Sequence, residues 1–126
     1  GFEAVTDQIV QGKCTSHEID VVAWKGDDLI MAEAKFHHEF GLKSDVKVAL
    51  YVKARFDDLS EQKFSYGGSA RQLTQGLLVT NTSFTDKAIE YSECAGARLI
   101  GWNYPKRGNL HDLIIESGVY PHPYDV

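Results

Sequence analysis

Glu18-Ile19-Asp20-Val21-Val22-Ala23-Trp24, then Lys25-Gly26-Asp27-Asp28, then Leu29-Ile30-Met31-Ala32-Glu33-Ala34-Lys35-Phe36 decides how this chain is read. Two apolar, β-prone runs flank a cluster of turn residues, the pattern of a β-hairpin. A two-residue loop at Gly26-Asp27 and a four-residue loop from Lys25 to Asp28 give one and the same register. It pairs Trp24 with Leu29 and sets Asp20 opposite Glu33. Side chains alternate along a strand, so Lys35 shares the face of Glu33, Ala34 points away, and Glu18 lies opposite Lys35. Directly opposed like charges destabilise a sheet, whereas Cβ atoms only ~5 Å apart are well placed to share a divalent cation. Exposed strands often carry Glu and Lys two apart as a solvated face. Against that bland reading stand Val21, Val22, Ala23, Ile30, Met31 and Ala32, which mark strands covered on both sides.

Asp20, twelve intervening residues and then Glu33-Ala34-Lys35 resembles the PD-(D/E)XK nuclease motif, in which an Asp on one strand precedes Glu-x-Lys on the next. His17 to Ala23, Ala32 to His37, Asp45 to Tyr51 and Leu78 to Thr85 look like Mrr-type restriction endonuclease domains, most of all the branch that follows an ATP-cone domain. The resemblance covers residues 2 to 121. Many such domains carry Gln where this chain has Glu33, and they often place a further Glu on a helix before the first strand. Here Glu3 falls in the first predicted strand instead.

The resemblance implies a restriction-endonuclease-like α/β/α sandwich and a metal-dependent endodeoxyribonuclease. Asp20 and Glu33, with the main-chain carbonyl of Ala34, would hold Mg²⁺, for which Mn²⁺ can substitute. Lys35 would orient or help deprotonate the attacking water, and Glu18 could position Lys35 across the strands. Two alternatives stay open: a DNA-binding or assembly module of the same fold without turnover, and a nuclease for RNA or branched DNA. Cutting both strands of DNA needs two sites, so a homodimer is a reasonable expectation, although no interface signal is visible. An ATP-cone partner would bring nucleotide control, but no nucleotide-binding motif lies in these residues.

Composition bounds the rest. At 126 residues and 43% hydrophobic content, the chain has apolar material for one core. No run approaches eighteen apolar residues and no signal-peptide pattern occurs, so the expectation is a soluble, cytoplasmic domain with no membrane partner. The start at Gly1, on the approach to a strand, suggests a fragment with an upstream domain missing. Cys14 and Cys94 are too few for a disulfide framework, and Cys14, His17, His37 and His38 lack zinc-site spacing. A net charge of −5 is unexpected for a protein that binds a polyanion, but it is unevenly spread. Residues 35 to 71 hold seven Lys or Arg against five Asp or Glu, and the remainder holds six against thirteen.

Along the chain, Phe2 to Thr6 reads as a first strand. A helix capped by Ser44 or Asp45 runs to Leu59, with Val46, Ala49, Leu50, Val52, Phe56 and Leu59 as its apolar side. Lys43, Lys47, Tyr51 and Arg55 form a stripe of cations around an aromatic that can track a DNA backbone, and they are the candidate DNA-binding residues. Ser60 to Thr74 reads as a flexible loop, a flap near nucleic acid flanked by Lys63 and Arg71. A strand over Gly76 to Thr80, a helix from a Thr85 cap to Gly96 with Phe84 and Ile89 as a hydrophobic staple, a strand over Ala97 to Trp102 and a short helix over Leu110 to Glu116, closed by Gly118, complete the order. Asn81, Thr82 and Ser83 can bind phosphate or cap the loop. Tyr120-Pro121-His122-Pro123 ends the fold or starts a linker. The sum is an α/β fold with a mixed sheet.

Overall fold

A computed structural model describes residues 1–39 and 41–116, so Phe40, Gly118 and the stretch from Tyr120 to Pro123 lie outside the described residues. In chain order the elements are β1 (Glu3–Gln11), β2 (Ser16–Lys25), β3 (Asp28–Lys35), β4 (Lys43–Ser44), α1 (Val46–Leu59) and β5 (Lys63–Tyr66). There follow β6 (Ser69–Gln72), β7 (Gln75–Thr80), β8 (Ser83–Phe84), α2 (Asp86–Ala95), β9 (Arg98–Ile100) and α3 (Leu110–Glu116). The main sheet has the order β1-β2-β3-β7-β9, antiparallel through β1, β2 and β3 and parallel from β3 through β7 to β9. The architecture is therefore mixed α/β with a mixed sheet, as the element order predicts.

The hairpin register is the expected one: Trp24 pairs with Leu29 and Lys25 with Asp28 across a Gly26-Asp27 turn in which Gly26 has φ 58°. Leu29, Met31 and Val22 are fully buried, and they form the centre of the core with Leu78 and Leu99. β1 runs well past the expected end at Thr6, because pairing with β2 resumes at Gln8 and continues to Gln11, carrying along residues with little strand preference of their own.

Asp45 caps α1 by accepting from the Lys47 N–H at 3.0 Å. The helix buries Ala49, Val52, Phe56 and Leu59. Leu50 departs from expectation at 46% exposed, since it lies on the arc of Val46 and Ala54, away from the sheet. Helix and sheet approach closely at Gly76, where a Cβ would stand 2.3 Å from the Phe56 ring. α2 is capped by the Thr85 hydroxyl, which accepts from the Ala88 N–H, and ends at left-handed Gly96. α1 and α2 pack together over one face of the sheet. On the opposite face Val21, Ala23, Ile30, Ala32 and Val79 are only partly buried, and α3 buries no residue fully. Among the described residues, helices thus cover one face well.

Ser60 to Thr74 is not a flexible flap. Lys63 to Gln72 forms a second hairpin, β5–β6, turning at Gly67 and Gly68 with φ 61° and 79°. Two successive positive φ values are what a tight hairpin turn requires, and a Gly-Gly pair is its sequence signal. Tyr66 stacks on Trp24 with ring centroids 5.3 Å apart, and Arg71 donates through Nε to the Gly26 carbonyl at 2.6 Å. Those contacts tie the hairpin to the β2–β3 turn. Arg71 is a brace there and does not flank a loose loop.

Strand phase changes at Asp20. Val22, Met31 and Gly76 stand in one row across the sheet, on the face that meets Phe56 of α1. Strict alternation would turn His17 to the other face. Instead its Nε2 lies 2.7 Å from Asp58 of the same helix. The reversal occurs where β1 and β2 lack one rung, between Thr6–Val21 and Gln8–Ile19, and where Asp7 takes a left-handed φ of 54°.

Candidate active site

The recorded pairing of β2 with β3 ends at Val21–Ala32, one step before Asp20 and Glu33. Beyond that point the Asp20 side chain takes over: its Oδ2 accepts the Ala34 N–H at 2.8 Å. A carboxylate hydrogen-bonded to the backbone between Glu33 and Lys35 ties the acidic residue of one strand to the tripeptide of the next. Ala34 and Lys35 continue the parallel ladder on their other side, opposite Val79 and Thr80 of β7. Lys35 ends the strand, is exposed, and makes no ion pair among the described residues.

Glu33 points toward α1. Its Oε1 lies 3.7 Å from an Arg55 terminal nitrogen, with side chains 22% and 9% exposed respectively. That separation makes an ion pair without a hydrogen bond. Glu33 Oε2 and Arg55 Nε are both buried and have no hydrogen-bond partner. The guanidinium is held elsewhere, donating to the Glu18 carbonyl and to the Tyr51 hydroxyl, with the Tyr51 ring centroid 5.6 Å away.

The predicted residues separate into three groups. Asp20, Glu33, Ala34 and Lys35 come together at the end of the hairpin. Glu18 does not position Lys35: the phase change at Asp20 directs its exposed side chain away from the helix face, and its carbonyl meets Arg55 instead. Of the candidate DNA-binding stripe, Lys47 and Tyr51 are exposed on α1, Lys43 is exposed on β4, and Arg55 is turned inward. Arg55 therefore departs from the solvated stripe. The signal was present, since Arg55 follows Val52 by three and precedes Leu59 by four, both buried.

Two further residues organise the strand ends. Asn81 clamps the chain after Lys35, its Oδ1 accepting from the His37 N–H at 2.9 Å and its Nδ2 donating to the His37 carbonyl at 2.8 Å. Thr82 is buried in a hydroxyl cluster with Ser44 at 2.8 Å and Thr80 at 3.1 Å. Of the two readings for this loop, capping accounts for both residues. The Asp58 carboxyl is held well below its ordinary pKa. The His17 hydrogen bond lowers it most, burial opposes that, and the Cys14 and Thr15 amides lower it further, taking it from 3.8 to about 2. No cluster of three or more His, Cys, Asp or Glu able to hold a metal occurs among the described residues. Among them, no helix is long and apolar enough to cross a membrane.

No protein-family model matches the chain. An uncharacterized protein of Archaeoglobus fulgidus is 39% identical over 121 residues, which cover 96% of this chain and 64% of the relative. The crystal structure of the protein of unknown function AF1548 matches with a TM-score of 0.78 at 39% identity, over 96% of this chain and 60% of that one. The chain thus spans less than two thirds of the length of the relatives it matches.

Proposed function

We propose that this chain is a PD-(D/E)XK nuclease domain of the Mrr type, with the restriction-endonuclease-like arrangement of its α/β fold, hydrolysing DNA phosphodiester bonds with a divalent cation. One observation carries the reading: the Asp20 carboxylate is hydrogen-bonded into the backbone of Glu33-Ala34-Lys35 at 2.8 Å, at the end of a hairpin whose pairing stops one step short of the two acids.

The donor set fits a hard cation. Among the described residues, the buried Glu33 Oε2 has no hydrogen-bond partner and Asp20 Oδ1 has none either. Asp20 and Glu33, with the Ala34 carbonyl, would hold Mg²⁺ or Mn²⁺, which prefer such oxygen ligands. When bound, the ion supplies charge neutralisation at the scissile phosphate and a water of lowered pKa. Lys35 presents three N–H donors at the strand end, so it can orient the attacking water and offset charge on the phosphate oxygens. Lys43, Lys47 and Tyr51 are exposed on the elements that follow β3 and would contact flanking phosphates.

A second reading, a DNA-binding module without turnover, is favoured by one feature. Arg55 partly neutralises Glu33, and the site gathers two carboxylates rather than three. Incubating the protein with linear duplex, modified duplex, a four-way junction and RNA, each with Mg²⁺ or Mn²⁺, distinguishes the readings. The nuclease reading expects metal-dependent cutting of DNA that Asp20→Ala abolishes and Lys35→Ala abolishes while sparing DNA association. Cutting by Asp20→Ala at the parent rate would overturn it. Association with DNA but no cutting under any metal would leave the binding module.

A further inference from the structure

We propose that Arg55 is a fixed counter-charge to Glu33 that makes uptake of the divalent cation conditional on a nucleic-acid phosphate; the inference rests on the nuclease reading of the same site. Four charged side chains belong to that strand end and the helix beside it: Asp20 and Glu33 are acidic, Lys35 and Arg55 basic. The site is therefore neutral before any ligand arrives. A divalent cation entering alone would leave it at +2, and like-charge repulsion, strongest from the buried Arg55 side chain, opposes that step. A phosphodiester brings one negative charge and lowers that excess to +1. Cation and phosphate then favour each other's binding through the same charge balance.

The geometry marks Arg55 as a standing charge and not as a latch. A structural Arg–carboxylate pair is commonly bidentate, with two short parallel hydrogen bonds. Here the separation is 3.7 Å, and Glu33 Oε2 and Arg55 Nε both lack partners although both are buried. The Arg55 side chain is 91% buried, and its terminal nitrogens are anchored on the Glu18 carbonyl and the Tyr51 hydroxyl, groups outside the acid pair. The positive charge thus stays beside Glu33 whether or not a cation is bound, while the Glu33 lone pairs remain free to ligate. Arg55 acts through Glu33 and is a positioning residue.

The test is a Mn²⁺ titration of the full chain, free Mn²⁺ being read by electron paramagnetic resonance. It is run with and without a phosphorothioate duplex, which keeps its negative charge and resists hydrolysis, and is corrected for Mn²⁺ bound by duplex alone. In the parent protein the duplex should tighten Mn²⁺ binding about tenfold or more. Arg55→Gln should bind Mn²⁺ more tightly without DNA and show much weaker coupling, whereas Arg55→Lys, which keeps the charge, should retain it. Equal Mn²⁺ affinity with and without duplex in the parent overturns the proposal, as does a folded Arg55→Gln with unchanged DNA-free affinity. Should Arg55→Gln fail to fold, the parent titration alone decides. DNA cutting without coupling would sink this inference and spare the nuclease reading; coupling without cutting would do the reverse.

Discussion

Asp58 and Glu33 are two carboxylates at the junction of helix and hairpin, and they are treated in opposite ways. Asp58 is saturated: it accepts from the Cys14 amide at 2.8 Å, the Thr15 amide at 3.3 Å and His17 Nε2 at 2.7 Å. Its own carbonyl takes the Lys13 N–H at 2.9 Å. Glu33, on β3 and facing Arg55 one helical turn before Asp58, has a single counter-charge at 3.7 Å and an oxygen with no donor among the described residues. A carboxylate with every lone pair engaged holds a loop in place, and one left partly unsatisfied is available to a ligand. The first clasps the β1–β2 loop to α1. The second waits at the strand end.

The largest effect that can break this contrast is on turnover. On the nuclease reading, Glu33→Gln keeps the shape and removes the charge, so cutting should fall by about 10²-fold or more, measured as nicking of duplex with Mg²⁺. Its melting temperature should stay close to the parent's, because Arg55 retains the Glu18 carbonyl and the Tyr51 hydroxyl as acceptors. Asp58→Asn should show the converse, a lowered melting temperature with cutting retained. If Asp58→Asn abolished cutting in a folded protein, the division between clasp and site would be wrong.

A smaller effect tests the tightness of the clasp. At Gly12 a Cβ would lie 2.2 Å from Asp58 Oδ2 and 2.9 Å from the Thr15 carbonyl oxygen, so Gly12→Ala must displace either the carboxylate or the loop backbone. Overpacking of that kind costs about 1 to 3 kcal/mol, read by chemical denaturation. An unchanged midpoint would mean the loop yields freely.

The smallest effect is a matter of pH. Asp58 has a folded pKa of about 2 against an ordinary 3.8, so its stabilisation is complete above 3.8 and is lost as pH falls toward 2. The acid limb of a stability profile should therefore be shallower in Asp58→Asn than in the parent within that window. Parallel limbs would show that the His17 contact contributes nothing in solution.

Much of this was legible in the sequence because turn chemistry and apolar runs act locally. Gly26-Asp27 sets the hairpin register, Asp45 and Thr85 cap their helices, and Gly96 ends one. The phase change was not legible. It depends on Asp7 adopting a left-handed backbone at a break in the β1–β2 ladder, an interruption that only the assembled pair of strands reveals. From that one event follow the inward turn of His17 and the outward turn of Glu18. Arg55 was misread for a different reason: its charge suggested solvent, while its helical position placed it over the sheet. The β5–β6 hairpin was misread by length alone, although Gly67-Gly68 carried the turn signal.

The left-handed backbone at Asp7 has a consequence for assembly. β1 is the outer strand of the main sheet, and it displays Ile9 at 73% exposure, a ready template for an unwanted neighbouring chain. A strand laid along it would meet a twisted, acidic interruption near its middle, where the row of free amides and carbonyls loses its even spacing. The irregularity that reorients the Asp20 end of the hairpin also guards the sheet against growing sideways into an aggregate.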